Sequence, residues 1–325
     1  MTTKNIIRFS FRVLPYAISL LFLTLFFLDL NSFKLWPQVT DLWHEEYEIQ
    51  NALIHPHGLR YTLVYPIFYL ANTLSVDYDS LFSIFACFLI GFSTFLIVKL
   101  LAFFGGQSKE KLFMISLLLV FVFINVNGRG VFTFLSSSLL LYAIYAVEGK
   151  IRFYIISFCS FLLSSFSSGT IILFILWFFS YWILLKRKSG KEVIISSLLF
   201  FYFFYIINDY VVLILNKNLN YFGGGFTGMV NMLEHGLGKI FFIGSDVLAL
   251  ILMNCIIFTF NLYFLLVGNF RVSLTKIILI SSGLICGLFG ITTALYLLPL
   301  IILIMLSCVA NERNTKFGCD PRINR

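Results

Sequence analysis

Long apolar runs divide this 325-residue chain, and almost every charged residue falls in the gaps between them. The runs lie at about 13–30, 81–104, 112–126, 131–147, 151–166, 169–185, 193–215, 241–268, 275–290 and 291–309. A run of this kind, nearly free of charge, is the signature of a transmembrane helix, because only a helix satisfies its own backbone in hydrocarbon. A closed β-barrel would instead show ten-residue segments of weak alternation, and a soluble core could not bury apolar surface on this scale. The sequence therefore predicts an all-α, polytopic integral membrane protein with about ten spans, folded as a single membrane domain over residues 1–325.

The charges sort by side. Basic clusters occur at Lys4/Arg8/Arg12, Lys99/Lys109/Lys111, Lys150/Arg152, Lys186/Arg187/Lys188/Lys191, Arg271/Lys276 and the tail from Arg313 to Arg325. Acidic and histidine-bearing segments alternate with them. The excess of Lys and Arg marks the cytoplasmic face, so the formal charge of +8 is a topological signal and calls for no nucleic-acid partner. Both termini then lie in the cytoplasm, with a cytoplasmic tail from about residue 310, and Lys4 to Arg12 lead into an uncleaved first span.

One further run, Leu59 to Leu74, tests the parity. It contains Pro66, and Tyr61, Tyr65 and Tyr69 recur at i, i+4 and i+8, one stripe if the segment is helical. The basic clusters all fall on one side only if this run makes no net crossing. It is expected to be a re-entrant or interfacial element on the outer face. With that assignment 18 basic residues lie inside, whereas Lys34, Arg60, Arg129, Lys217 and Lys239 lie outside with most of the carboxylates and all four histidines.

That outer face is where chemistry is expected. Its first loop, about 31–80, carries Asp41, His44, Glu45, Glu46 and Glu48, then His55, His57 and Arg60. Carboxylates and imidazoles tethered near a bilayer suit proton transfer, and Asp41, Glu45 and His57 are the candidate bases. A solvated acidic loop is the competing reading. Two histidines without a third ligand do not make a metal site, so no metal and no other cofactor are expected. The six cysteines form no CxxC and imply neither a disulfide framework nor a metal centre.

A second feature is Asn125-Val-Asn127-Gly128-Arg129-Gly130, a lone arginine between two glycines at the tip of a short hairpin. An arginine at a membrane edge normally has a partner, and a guanidinium suits a pyrophosphate; a lipid-headgroup contact is the alternative. Arg60 and Arg129 are the candidate phosphate ligands. A third is the glycine-rich segment 216–243, with Gly223-Gly224-Gly225 and then Glu234 and His235, read as a flexible lid, an acceptor-binding loop or an ordinary linker. The hydroxyl cluster Ser164–Thr170 is expected to satisfy helix-end carbonyls. No GxxxxGK[ST], GxSxG, HExxH or nucleotide-sugar DxD motif is present.

These features resemble the Wzy-type polysaccharide polymerases, in particular the EpsG-like branch of O-antigen, capsule and exopolysaccharide biosynthesis. The resemblance runs from about residue 15 to 185. It rests on a first span leading to Asp41 and Tyr47, on His57-Gly-Leu-Arg-Tyr-Thr-Leu-Val-Tyr-Pro, on Asn127-Gly128-Arg129-Gly130-Val-Phe-Thr-Phe-Leu, on the basic turn Gly149-Lys150-Ile-Arg152 and on the hairpin at Ser164–Thr170. It implies glycosyl transfer between undecaprenyl-diphosphate-linked oligosaccharides at the periplasmic face of a bacterial inner membrane, with a chain-length regulator as a candidate partner. It carries over Asp41 and Arg129. A multi-spanning glycosyltransferase using lipid-phosphate sugars and a non-enzymatic glycolipid transporter are the alternatives. A transporter would be expected to hold charge within its spans, which are nearly charge-free here.

Overall fold

The computed structural model describes residues 3–34, 58–103, 109–125, 128–147, 149–166, 168–180 and 190–231. Among these residues there is no strand. The helices are α1 (Thr3–Phe27), α2 (Gly58–Leu74), α3 (Tyr78–Phe103), α4 (Lys109–Asn125), α5 (Gly128–Ala146), α6 (Lys150–Ser164), α7 (Ser168–Ser180) and α8 (Gly190–Tyr221), followed by a short helix over 225–231. Among the described residues, three stretches are long and apolar enough to cross a bilayer: Phe9–Phe27, Tyr78–Ala102 and Gly128–Ala146. Shorter apolar helices cover Thr62–Leu74, Leu112–Ile124, Thr170–Phe179 and Val193–Ile206. The described part of the chain is thus all-α, and its apolar helices suit a lipid bilayer. The runs expected at 241–268, 275–290 and 291–309 lie outside the described residues.

The helices alternate in direction around α5, which is buried along most of its length. α1 and α3 are antiparallel. The Ser19 hydroxyl donates to the Cys87 carbonyl at 2.9 Å, and Gly91 lets the two backbones close up: a methyl group there would lie 2.9 Å from Ser19 Cβ. Small residues at a helix crossing are the usual device in membranes, where association rests on packing rather than on expulsion of water. α3 and α5 run parallel, with Phe82 beside Phe132 (5.8 Å between ring centroids) at one end and Leu96 clustered with Leu135 and Leu139 further along.

α5 and α6 form an antiparallel hairpin held by a reciprocal serine pair. Ser136 Oγ donates to the Ser160 carbonyl and Ser160 Oγ to the Ser136 carbonyl, both at 2.7 Å and both buried. α7 folds back along α6, matching Phe161 with Phe174 and Phe153 with Phe178. α4 presents Phe123 to Phe22 of α1 and Phe134 of α5. α8 touches α7 through Phe179 and Phe200.

α2 is helical, and within it Tyr65 and Tyr69, two of the three residues of the tyrosine spacing, lie 6.4 Å apart between ring centroids. Its opposite face, Val64, Phe68 and Ala71, is buried, and Phe68 packs on Tyr78 at the start of α3. With 17 residues it is about 25 Å long, short of a hydrocarbon core of about 30 Å. α8, at 32 residues, is about 48 Å long and overshoots that core. Its charge-free stretch is 193–208, shorter than the expected 193–215, because the exposed Asp209 interrupts it.

Two helices end by placing a residue other than glycine in the left-handed region. Asp29 (φ 54°) closes α1, with Leu30 N–H bonding the Leu25 carbonyl at 2.9 Å, and Ser75 (φ 53°) closes α2, with Val76 N–H bonding Ala71 at 3.0 Å. Both are capped turns in which the 6→1 hydrogen bond offsets the cost of the left-handed residue. The turn at Asp29 directs the chain into the segment 31–34, which shapes the candidate site.

Candidate functional site

The exit of α1, the starts of α3, α5 and α7 and the end of α6 meet at one end of the bundle. Phe33 fixes the exit segment there. Its N–H donates to Ser83 Oγ at 3.0 Å, the Ser83 hydroxyl donates back to the Phe33 carbonyl at 2.9 Å, and its ring is buried against Phe22. The segment that leaves α1 therefore starts from the same end at which α3 begins.

The glycines around Arg129 differ from their expected role. Gly128 to Gly130 do not form the tip of a hairpin; they are the first turn of α5. A methyl group on Gly128 would collide with the Lys34 carbonyl oxygen and lie 2.8 Å from a Phe82 ring carbon. The close backbone approach that the sequence suggested for a ligand is made by the chain itself, and it draws α5 against the 31–34 segment.

This contact sets the Lys34 backbone against the first turn of α5, the turn that carries Arg129. Lys34 is exposed; Arg129 is half-buried between the buried Gly128 and Gly130. Aromatic rings cluster at the same end of the bundle, with Phe132 stacked on Phe166 at 4.0 Å and 7° and flanked by Phe82. A hydroxyl relay ties the same turn down: Thr170 donates to Thr133 Oγ1 at 3.2 Å, and Thr133 donates to the Arg129 carbonyl at 3.3 Å. The side-chain amide of Asn31 is buried without a hydrogen-bond partner among the described residues, so the exit segment holds a spare donor.

Two cationic residues from separate parts of the chain, carried by backbone segments in contact near buried aromatic rings, favour an anion. Low-dielectric walls strengthen such attraction, and a guanidinium adds a bidentate fork that an ammonium lacks. Sequence reasoning placed Lys34 only as one of the outer basic residues. No local motif marks it; its proximity to Arg129 comes from a packing contact between distant parts of the chain.

Arg60 lies in the first turn of α2. Asp41, Glu45, His57, Glu234 and His235 lie outside the described residues. The glycine run expected within a flexible loop is in its first part a built corner. Gly223 (φ 107°) and Gly224 (φ 77°) end α8, Gly224 N–H bonds the Leu219 carbonyl at 2.7 Å, and the helix 225–231 follows, with Asn231 Nδ2 donating to the Phe222 carbonyl at 2.9 Å. Glycine suits this cap because it takes positive φ without strain. The hydroxyls of Ser164 and Ser165 donate back to the carbonyls of Phe161 and Leu162, both at 2.6 Å, the structural role expected of them.

No protein-family model matches the chain, and no curated protein or solved structure matches it either.

Proposed function

We propose that this protein is a Wzy-type polysaccharide polymerase that joins undecaprenyl-diphosphate-linked oligosaccharide repeat units at the periplasmic face of a bacterial inner membrane. The observation that supports the reading is that Lys34 packs its backbone on the helix turn that carries Arg129, which brings two cationic residues to the end of the bundle where α1 exits toward the first loop. In the reaction a hydroxyl of the acceptor glycan attacks the anomeric carbon of the donor glycan. The glycosidic bond forms, the bond to the lipid diphosphate breaks, and the hydroxyl proton passes to a base. Arg129, with Lys34 on the adjoining segment, neutralises charge on the departing diphosphate, the point at which fixed cations accelerate such a transfer most. Arg60 is a further phosphate ligand. Asp41, Glu45 or His57 takes the proton, and the segment with Glu234 and His235 contacts the acceptor.

Ten spans with cytoplasmic termini complete the reading. Its support is that the exit of α1 and the start of α3 lie at the same end of the bundle. The purified chain in proteoliposomes, given undecaprenyl-diphosphate-linked repeat unit and no nucleotide sugar, should build a ladder of longer glycans and release undecaprenyl diphosphate. Substrate that stays at one repeat unit rejects the polymerase reading.

A further inference from the structure

The end of the bundle opposite Arg129 carries a second feature, independent of the function proposed above. Around the turn from α5 to α6 lies an open cavity of about 660 Å³, lined by Tyr142, Ala146, Lys150, Ile151, Arg152 and Ile156. Lys150 and Arg152 are exposed, Tyr142 is half-buried, and the remaining wall is apolar. Gly149 leads into α6 in an extended conformation (φ −96°, ψ 133°) and supplies no side-chain cap, so the positive end of the helix adds to the two cations. From the rim an exposed apolar stripe, Ile151, Tyr154, Ile155 and Phe158, runs along α6 at i, i+3, i+4 and i+7.

We propose that this turn binds an anionic membrane phospholipid, its phosphate held between Lys150 and Arg152 and its acyl chains laid along the α6 stripe. A cationic rim continuous with an apolar track matches a molecule with a charged head and two hydrocarbon tails. A soluble phosphate would make no use of the stripe. Tyr142 contributes a phenol that can donate to a phosphate or glycerol oxygen. Glu148 lies between the walls in sequence and outside the described residues. It would favour a zwitterionic headgroup with its own ammonium, which makes the choice of lipid the sharpest part of the test.

The full chain is purified in mild detergent, mixed with phosphatidylglycerol or with phosphatidylcholine of the same acyl chains, and retained lipid is counted by native mass spectrometry. Phosphatidylglycerol should be preferred. The Lys150→Gln/Arg152→Gln variant should hold it roughly 30-fold more weakly, at about fivefold for each juxtamembrane charge. Lys109→Gln/Lys191→Gln, the same loss of charge at the starts of α4 and α8, should leave retention nearly unchanged, as should millimolar inorganic phosphate. Thermal melting confirms that each variant remains folded. Equal retention of the two lipids, equal loss in the control variant, displacement by inorganic phosphate, or undiminished binding by the double variant each overturns the proposal.

Discussion

Replacing Gly128 with alanine should destabilise the protein by about 1–3 kcal/mol, the usual cost of overfilling a packed site. The larger half of that range is expected. The new methyl would sit 2.8 Å from a Phe82 ring carbon, about 1 Å inside the normal carbon–carbon contact distance of roughly 3.5–4.0 Å, and would also strike the Lys34 carbonyl. Neither neighbour can step aside cheaply. Phe82 is fully buried, and the chain next to Lys34 is held by the two hydrogen bonds between Phe33 and Ser83. Gly190→Ala is the matched control, since a methyl at the start of α8 would meet nothing within 4 Å. Unfolding in mixed detergent micelles, followed by tryptophan fluorescence, gives both values. If Gly128→Ala unfolds with Gly190→Ala and the wild type, the 31–34 segment does not pack on α5, and the approach of Lys34 to the turn that carries Arg129 falls with it.

The serine pair allows a double-mutant cycle: Ser136→Ala, Ser160→Ala and the double variant should give a coupling of about 0.6–1.7 kcal/mol, the range of interhelical hydrogen bonds in membranes, and a coupling near zero would mean that van der Waals packing alone joins α5 to α6. Reporter fusions after Lys111, Lys188 and Lys276 should read cytoplasmic, and those near Asn51 and Asn231 periplasmic; a cytoplasmic signal at Asn51 would mean that the outer-loop assignment is wrong. Among Asp41→Asn, Glu45→Gln and His57→Ala, one variant should lose about 10²–10⁴-fold in polymerisation of purified lipid-linked repeat unit. Normal polymerisation in all three would move the base to the Glu234/His235 segment.

The sequence disclosed the helices more readily than their meetings. Apolar runs and charged gaps located α3 within a few residues, because that signal is local and periodic, whereas the tyrosine spacing at 61, 65 and 69 fitted a helix without deciding for one. Glycine was the ambiguous letter. Gly128-Arg129-Gly130 looked like a turn but opens a helix, since a close neighbour can require glycine as firmly as a turn does. Gly223-Gly224 looked like loop and instead caps α8, since the positive φ that loosens a chain in isolation also completes a helix terminus. Lys34 was beyond reach for a different reason. Its place against the turn that carries Arg129 depends on the turn at Asp29, the clasp of Phe33 by Ser83 and the bare face of Gly128, three contacts that no periodicity encodes.

The proposed function requires Arg129 to bind the diphosphate of a lipid-linked glycan. The direct measurement is the glycan length distribution made by Arg129→Ala, compared with wild type at matched protein levels in the membrane. Arg129→Ala should lose about 10²–10³-fold, the scale of removing one preorganised group from developing negative charge, with lipid bearing a single repeat unit accumulating. Arg129→Lys should recover only part of the activity, because a point charge replaces the bidentate fork. Wild-type-length glycan from Arg129→Ala would contradict the claim.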